Sequence, residues 1–302
     1  EDKTPKDFSL DEAKNLIPDS NPFLQNFFYE ITSPKLKQEP FAGYVNDLVD
    51  LLMHTRMDRI LEDFGRRSKR KDPVLHFYET FLATYAPDIR ELRGVYYTPD
   101  EVVKFIVEAV DALLKDKFSC ADGLADTGKT MYKVEVQDKD GKTFENRQTH
   151  KVLVLDPACG TGTFLYHVID HIRELFSSRQ QAGMWPGYVK EHLLPRIFGF
   201  ELLMAPYVVA HFKLEMQLAA KDMPSLFRKN WACQTSGGQR LGVFLTNTLE
   251  RLKGIQQPLG PSKLLSDESN AAAEIKNDLP IMVVMGNPPY SGHSANKNWE
   301  IE

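Results

Sequence analysis

The sequence is poor in cysteine, in net positive charge and in long apolar runs, and each shortage excludes something. Cys120, Cys159 and Cys233 are its only cysteines. They are scattered, with neither CxxC metal spacing nor the even-numbered framework of a disulfide-stapled fold, so a reducing cytosol is the default compartment. The net charge is −5, which excludes a chain that grips nucleic acid over its whole surface. Such contact would run through a local patch, or through a segment outside this chain. The local patch is Arg66-Arg67-Ser68-Lys69-Arg70-Lys71, which reads more readily as a solvated loop between helices than as a phosphate-binding strip. No run approaches membrane-spanning length, and no charged-then-apolar start reads as a signal peptide. What is present, 42% hydrophobic and 26% charged residues in a chain of 302, is the balance of a soluble globular protein of one large or two smaller domains.

Residues 1 to 93 read as helical. Phe41 to Phe64 carries Val45, Leu48, Val49, Leu52, Met53, Ile60 and Leu61 near the helical period. Asp72-Pro73, a cap followed by proline, opens a second helix through Phe77, Phe81 and Leu82. His54 and His76 have no partner pattern and read as packing or surface residues. From Gly94 the character changes. Thr98-Pro99-Asp100-Glu101 has the form of a capping box with proline at the first helical position. The helix it opens runs through Val102, Val103, Ile106, Val110 and Leu113. A polar excursion from Ser119 to His150 follows. Tyr132, Val134 and Val136 alternate with polar residues in it, and Asp140-Gly141 predicts a hairpin turn.

Three apolar runs then end in unusual residues. Val152 to Leu155 leads into Asp156-Pro157-Ala158-Cys159-Gly160-Thr161-Gly162-Thr163-Phe164. Ile197 to Phe200 ends at Glu201, and Ile281 to Met285 ends at Gly286-Asn287-Pro288-Pro289-Tyr290. A weaker run, Leu241 to Leu245, ends near Asn247. Amphipathic helices separate them, the first through Phe164, Leu165, Val168, Ile172, Leu175 and Phe176, the next through Val208, Val209, Phe212 and Met216. Strand alternating with helix predicts an α/β doubly wound parallel sheet, which binds ligands at the carboxyl ends of its strands.

The chemistry of those ends is specific. Glycines after Asp156 let backbone approach a ligand, and helix-initial N–H groups favour negative charge. Glu201 is placed to grip ribose hydroxyls. The gap between the two acids exceeds the ~20 residues of dinucleotide folds, and GxGxxG spacing is missing, which disfavours NAD. Met184-Trp185-Pro186-Gly187 accounts for part of the gap. After the third run, two prolines cannot continue a ladder. They stiffen a turn in which the Asn287 oxygen and the Pro288 carbonyl are two acceptors for one amino group, with the Tyr290 ring a stacking face for a planar base.

Asp156-Pro-Ala-Cys-Gly-Thr-Gly-Thr-Phe164 with Asn287-Pro-Pro-Tyr290 resembles the DNA amino-methyltransferases that use S-adenosylmethionine. Gly94-Val-Tyr-Tyr-Thr-Pro99 resembles the segment of that family that touches the cofactor's methionine carboxylate. The motif order resembles the gamma class of adenine-N6 methyltransferases. Asp72-Pro-Val-Leu-His-Phe-Tyr-Glu79, Arg93 to Pro99 and Gly286 to His293 resemble the type ISP restriction-modification enzymes. The resemblance implies a Rossmann-like methyltransferase fold over 94–302, with a hairpin insertion at 119–150, behind an all-α coupler-like domain over 1–93. It implies that Thr98 approaches the cofactor carboxylate. Asp156, Pro157, Ala158, Gly160, Gly162, Thr163 and Phe164 would hold the methionine moiety, Glu201 the ribose and Asn247 the adenine end. Asn287 and Pro288 would accept from the target amine, Pro289 would stiffen the turn and Tyr290 would stack on the flipped adenine. The implied partner is double-stranded DNA in a prokaryotic cytoplasm, with no metal and no membrane. The family's sheet has more strands than this chain shows. The expectation is therefore a C-terminally incomplete core, weakly active or inactive alone, whose target-recognition, ATPase and nuclease modules lie elsewhere in a parent polypeptide.

Other functions compete. The same turn occurs in methyltransferases acting on RNA or on protein glutamine, and a non-catalytic cofactor-binding or scaffolding fragment would keep the fold. Gly123-Leu-Ala-Asp-Thr-Gly128-Lys129-Thr130 matches the phosphate-loop pattern, but a helix precedes it and a strand follows, the reverse of a true one. His167 and His171 lie four apart on one helix. Val168 stands where HExxH needs glutamate, so a half-exposed pair is expected rather than zinc.

Overall fold

The computed structural model describes residues 17, 21–31, 40, 42–54, 98–138, 141–220, 230–233, 240–250 and 261–288. The basic run at 66–71, the helix expected from Asp72, His76, the Gly94–Tyr97 segment, Pro289 and Tyr290 lie outside the described residues. Among the described residues, no helix is long and apolar enough to cross a membrane.

Helices α1 (Pro22–Ile31) and α2 (Ala42–His54) come first, and α3 (Asp100–Phe118) follows. A hairpin of β1 (Lys129–Asp138) and β2 (Gly141–His150) stands apart from the main sheet. The main sheet alternates with helices: β3 (Val154–Asp156), α4 (Thr163–Ser178), β4 (Ile197–Glu201), α5 (Met204–Leu218), β5 (Gly242–Leu245), α6 (Pro261–Asn277) and β6 (Val283–Val284). Its spatial order is β5-β4-β3-β6, with every pairing parallel. The α/β doubly wound sheet expected from the apolar runs is present. The chain builds outward from β3 through β4 to β5, then returns to β3's free side as β6. That reversal makes the carboxyl ends of β3 and β6 a topological switch point, the place where open α/β sheets bind ligands.

The runs are apolar on both faces because both faces are covered. Val154, Ile197, Val243, Leu245, Val283 and Met285 join the core beneath α3, α4 and α5. Leu153, Phe198, Phe200 and Phe244 face the other way, against Ala272 and Ile275 of α6. Cations close that second core: Arg240 lies 4.5 Å over the Phe244 ring and Lys276 lies 5.2 Å over Phe200. The segment around Trp185 packs as an aromatic knot. Trp185 is buried, stacked 6.0 Å from Tyr188 and tilted against Trp231 at 5.9 Å.

Two local expectations are corrected. The hairpin forms, with Tyr132, Val134 and Val136 on its less exposed face, but its ladder runs as far as Asp138 opposite Gly141. Gly141 therefore begins a strand rather than completing a turn. The capping box does not form. Helix α3 begins at Asp100, Pro99 occupies the cap position, and no side chain caps the helix. The Pro99 carbonyl receives the N–H groups of Val102 and Val103 instead.

The phosphate-loop pattern is also settled by geometry. Lys129 begins strand β1 opposite His150 rather than opening a helix, and its ammonium lies 2.8 Å from His150 Nε2. His167 and His171 serve as struts between α4 and α3: His167 Nε2 lies 3.4 Å from Asp100 Oδ1, and His171 Nε2 lies 3.2 Å from Asp111 Oδ2.

The N-terminal helix α1 packs into the sheet domain, across the change of character at residue 93. Asn21 caps it, accepting the Leu24 N–H at 2.9 Å, and its amide donates to the Tyr207 hydroxyl at 3.1 Å. Phe23 stands edge-on to the Tyr207 ring at 5.7 Å. Tyr207 donates at 3.3 Å to Glu268, a buried carboxylate that also takes two bonds from Arg240, at 2.8 and 3.0 Å, and the Leu245 N–H at 3.3 Å. One acid thus joins α6, α5 and edge strand β5. Removing one partner of a buried ion pair costs ~3–5 kcal/mol, because the other is left uncompensated; a part-exposed Arg240 places this pair at the lower end. Glu268→Ala is expected to lower the urea-unfolding free energy by ~3 kcal/mol, whereas alanine at the exposed Glu191 is expected to shift it by ~0.5 kcal/mol or less.

Candidate active site

The strand ends converge on β3. Asp156 closes that strand and is almost wholly buried, with 1% of its surface exposed. Its Oδ1 accepts the Ala158 N–H at 3.1 Å, while its Oδ2 is buried with no hydrogen-bond partner. Burial pushes its pKa up to about 7, with the nearby Glu201 carboxylate pushing the same way and the Ala158 bond opposing. A buried acid short of one partner is a natural seat for a cation.

The loop after it turns on two glycines. Gly160 and Gly162 have φ of 55° and 77°, the left-handed region that glycine enters without strain. Pro157 and Ala158 form the start of this turn, and Thr163 and Phe164 begin α4. Gly162 is the helix's cap residue, and no side chain caps the first turn. The initial N–H groups of α4 therefore retain their preference for an anionic or polar ligand. Cys159 is buried against Gly199, where an added Cβ would come 3.0 Å from its sulfur. Burial, with Asp156 and Glu201 nearby, holds the thiol's pKa well above its usual value. It is a packing residue.

Glu201, at the end of β4, ties two loops together. Its Oε2 accepts the Gly160 N–H at 2.9 Å and its Oε1 the Leu203 N–H at 2.7 Å. Burial raises its pKa and these backbone bonds oppose the rise. Each carboxylate oxygen keeps capacity for a second donor. The loop after β5 docks beside it: the Thr246 N–H donates to the Glu201 carbonyl at 2.8 Å, and the Thr248 hydroxyl donates to the Pro157 carbonyl. The Asn247 side chain turns inward on its own loop. Its Oδ1 accepts the Leu249 N–H at 3.1 Å and its Nδ2 donates to Glu250 at 3.1 Å. Each end of that amide keeps capacity for one more partner, a second N–H on the nitrogen and a second lone pair on the oxygen.

On the other side of β3, Met285 N–H donates to the Leu155 carbonyl at 3.0 Å, which carries β6 alongside β3 to its end. Gly286 then packs directly on Asp156, and a Cβ there would overlap Asp156 Oδ1. Asn287 is half-buried and Pro288 exposed. The Asn287 amide donates to the Thr98 hydroxyl at 2.9 Å, across 189 positions of sequence. The structure thus brings Asp156, the glycine turn, Glu201 and Asn247 to one end of the sheet, and Thr98 to Asn287. Gly286 is the functional position that sequence reasoning passed over. Its only signal was a glycine just before the asparagine.

A family model described as N-6 DNA Methylase matches residues 69–223, just over half of the 302 residues. No curated protein matches. Two solved structures are similar at 21% identity. One is an ATP-dependent Type ISP restriction-modification enzyme, LlaBIII, bound to DNA, with a TM-score of 0.61 over 95% of this chain. The other is a nuclease-deletion mutant of the Type ISP restriction-modification enzyme LlaGI in complex with a DNA substrate mimic, with a TM-score of 0.57 over 92% of this chain. The chain spans 17% of the first and 18% of the second. At this identity the likeness is one of fold.

The burial of Asp156 predicts a pH dependence with a definite sign. A carboxyl whose folded pKa lies near 7, above its ordinary value of 3.8, binds more protons folded than unfolded between those values. It therefore contributes stability that is full below the unfolded value and is lost as pH rises through the folded one. Asp156→Asn removes the titration. Its unfolding free energy, relative to the parent chain, is expected to rise between pH 4 and pH 8 by on the order of 2–4 kcal/mol, measured by urea denaturation at each pH. A difference independent of pH would refute the shift.

Proposed function

Because the chain belongs to the N-6 DNA methylase family, we propose that it is the methyl-transfer core of an S-adenosylmethionine-dependent enzyme acting on the N6 amine of adenine in DNA. The observation that carries this is the pairing of β6 with β3, which sets Gly286, next to Asn287, directly against a buried acid with one unpartnered oxygen, where the strand order of the described sheet reverses.

The residues fit S-adenosylmethionine. Asp156 is short of one partner, and a ligand ammonium would supply it. The left-handed glycines and uncapped first turn of α4 let a ligand approach the backbone, with Pro157, Ala158, Thr163 and Phe164 framing that turn. Glu201 has lone pairs left for ribose hydroxyls, and Asn247 stands beside it for the adenine end. Bound there, the cofactor supplies an electrophilic methyl group on a sulfonium.

The chain's own part is positioning. Adenine must leave the duplex to reach a site at a sheet's end. The Asn287 Oδ1 and the Pro288 carbonyl accept the two hydrogens of its amine, which turns the nitrogen lone pair into the site. Pro289 stiffens the turn and Tyr290 stacks on the base, roles assigned from the sequence motif. Holding the two reactants in line supplies most of the rate enhancement such a site needs, ~7–11 kcal/mol in well-oriented systems. Cys159 takes no part.

The type ISP fold likeness supports a restriction-modification setting, acting on DNA in the cytoplasm. The chain's small share of those enzymes supports target recognition, ATPase and nuclease functions residing in other parts of such a polypeptide. Residues 1–93 would couple them to the methyltransferase core over 94–302.

The test is transfer of a labelled methyl group from S-adenosylmethionine to duplex DNA by the full-length polypeptide, with N6-methyladenine identified in the digest. Asn287→Ala is expected to lower the transfer rate by ~100-fold or more while leaving cofactor binding within about threefold. Transfer to RNA or to protein glutamine, but not to DNA, would overturn the proposal, as would cofactor binding with transfer to none of the three.

A further inference from the structure

The bond between Asn287 and Thr98 assigns Thr98 a task other than the one implied by resemblance. Thr98 precedes Pro99 at the start of α3, where its hydroxyl would ordinarily cap the helix. It does not: no side chain caps α3, and the Pro99 carbonyl takes the first-turn N–H groups. The hydroxyl is therefore available as an acceptor, and the Asn287 Nδ2 donates to it at 2.9 Å. Proline at 99, with φ of −54°, limits how far the segment can swing.

The consequence lies in the chemistry of a primary amide. Its oxygen accepts and its nitrogen donates, and they sit on opposite arms of one plane. The terminal torsion of asparagine is broad and roughly two-fold, so an unheld side chain samples both faces. In one, the oxygen meets the incoming amine. In the other, NH₂ meets NH₂, donor against donor. A hydrogen bond from Nδ2 to Thr98 removes the second arrangement and leaves Oδ1 for the substrate. Building on the function proposed above, we infer that Thr98 is a positioning residue for methyl transfer. Its hydroxyl holds the Asn287 amide in the orientation that receives the target amine.

The hydroxyl hydrogen of Thr98 is not used in this bond and can point to an acceptor elsewhere. The inference thus differs from a pure cofactor contact in what is lost when the oxygen is removed. A cofactor contact alone shows in cofactor affinity. A positioning role shows in the rate at saturating cofactor, because a misoriented amide leaves binding intact and spoils alignment.

The experiment compares Thr98→Val, which keeps the shape without the oxygen, with Thr98→Ser, which keeps the oxygen. Both are made in the full-length polypeptide. Cofactor affinity is read by calorimetry with S-adenosylmethionine, and the transfer step by single-turnover methylation of duplex DNA at saturating cofactor. Thermal melting of both variants confirms folding. The expected result for Thr98→Val is a ~10–100-fold slower transfer step with the dissociation constant for S-adenosylmethionine within about threefold, and for Thr98→Ser a rate within about threefold of the parent. Weakened cofactor binding with an unchanged saturated rate would overturn the inference and return Thr98 to the cofactor. So would a Thr98→Val variant equal to the parent in both, or a Thr98→Ser variant as slow as Thr98→Val. An unfolded Thr98→Val with a slow, folded Thr98→Ser would overturn it too, while an unfolded Thr98→Val with a fully active Thr98→Ser upholds the need for the oxygen. A parent polypeptide that methylates no DNA overturns the proposed function itself, and the inference with it.

Discussion

A carboxylate kept from water at the end of the central strand organises this molecule. Asp156 has one oxygen held by the Ala158 N–H and another with no partner. That is an expensive way to bury a charge, and burial answers by raising the group's pKa to about 7. The surroundings follow from it. Gly286 has no side chain because Asp156 occupies the space one would need. The loop beyond turns sharply on left-handed glycines, and Glu201 secures it through Gly160. The sheet brings its last described strand to the free side of β3, so the second half of the site arrives beside the acid rather than across the molecule.

The tie between loops is as informative as the acid. Glu201 holds the turns after β3 and β4, Thr246 holds the loop after β5 to Glu201, and Thr248 reaches the Pro157 carbonyl. Successive strand ends are thus linked by hydrogen bonds before any ligand enters. Such a frame suits a site whose work is alignment, since little reorganisation remains when the reactants arrive. At the far side of α5, Glu268 does the corresponding work for the scaffold, joining Arg240, Tyr207 and the Leu245 backbone.

Much of this was legible in the residues. The apolar runs marked β3, β4, β5 and β6, and the acids and glycines at their ends gather at one end of the sheet. Two local expectations failed, one to a distant partner and one to the hairpin's own ladder. Thr98-Pro99-Asp100-Glu101 has the form of a capping box, yet Thr98 faces Asn287 instead. Asp140-Gly141 has the form of a turn, yet the ladder extends one residue further and takes Gly141 into a strand. Helix α1, with no chemistry of its own, reaches the core through Asn21 and Phe23 on Tyr207, a contact no local pattern announces.

The sequence by itself determined the alternation of strand and helix, the absence of a phosphate loop and the kind of chemistry at each strand end. Those depend on side-chain character and on spacings of a few residues, which chain geometry converts directly into structure. Tertiary structure alone decided which ends became neighbours and what Thr98 holds. Each of those depends on the order in which parallel strands pair. That order joins residues nearly two hundred positions apart, and a hydrogen bond over that separation leaves no trace in the sequence around either partner.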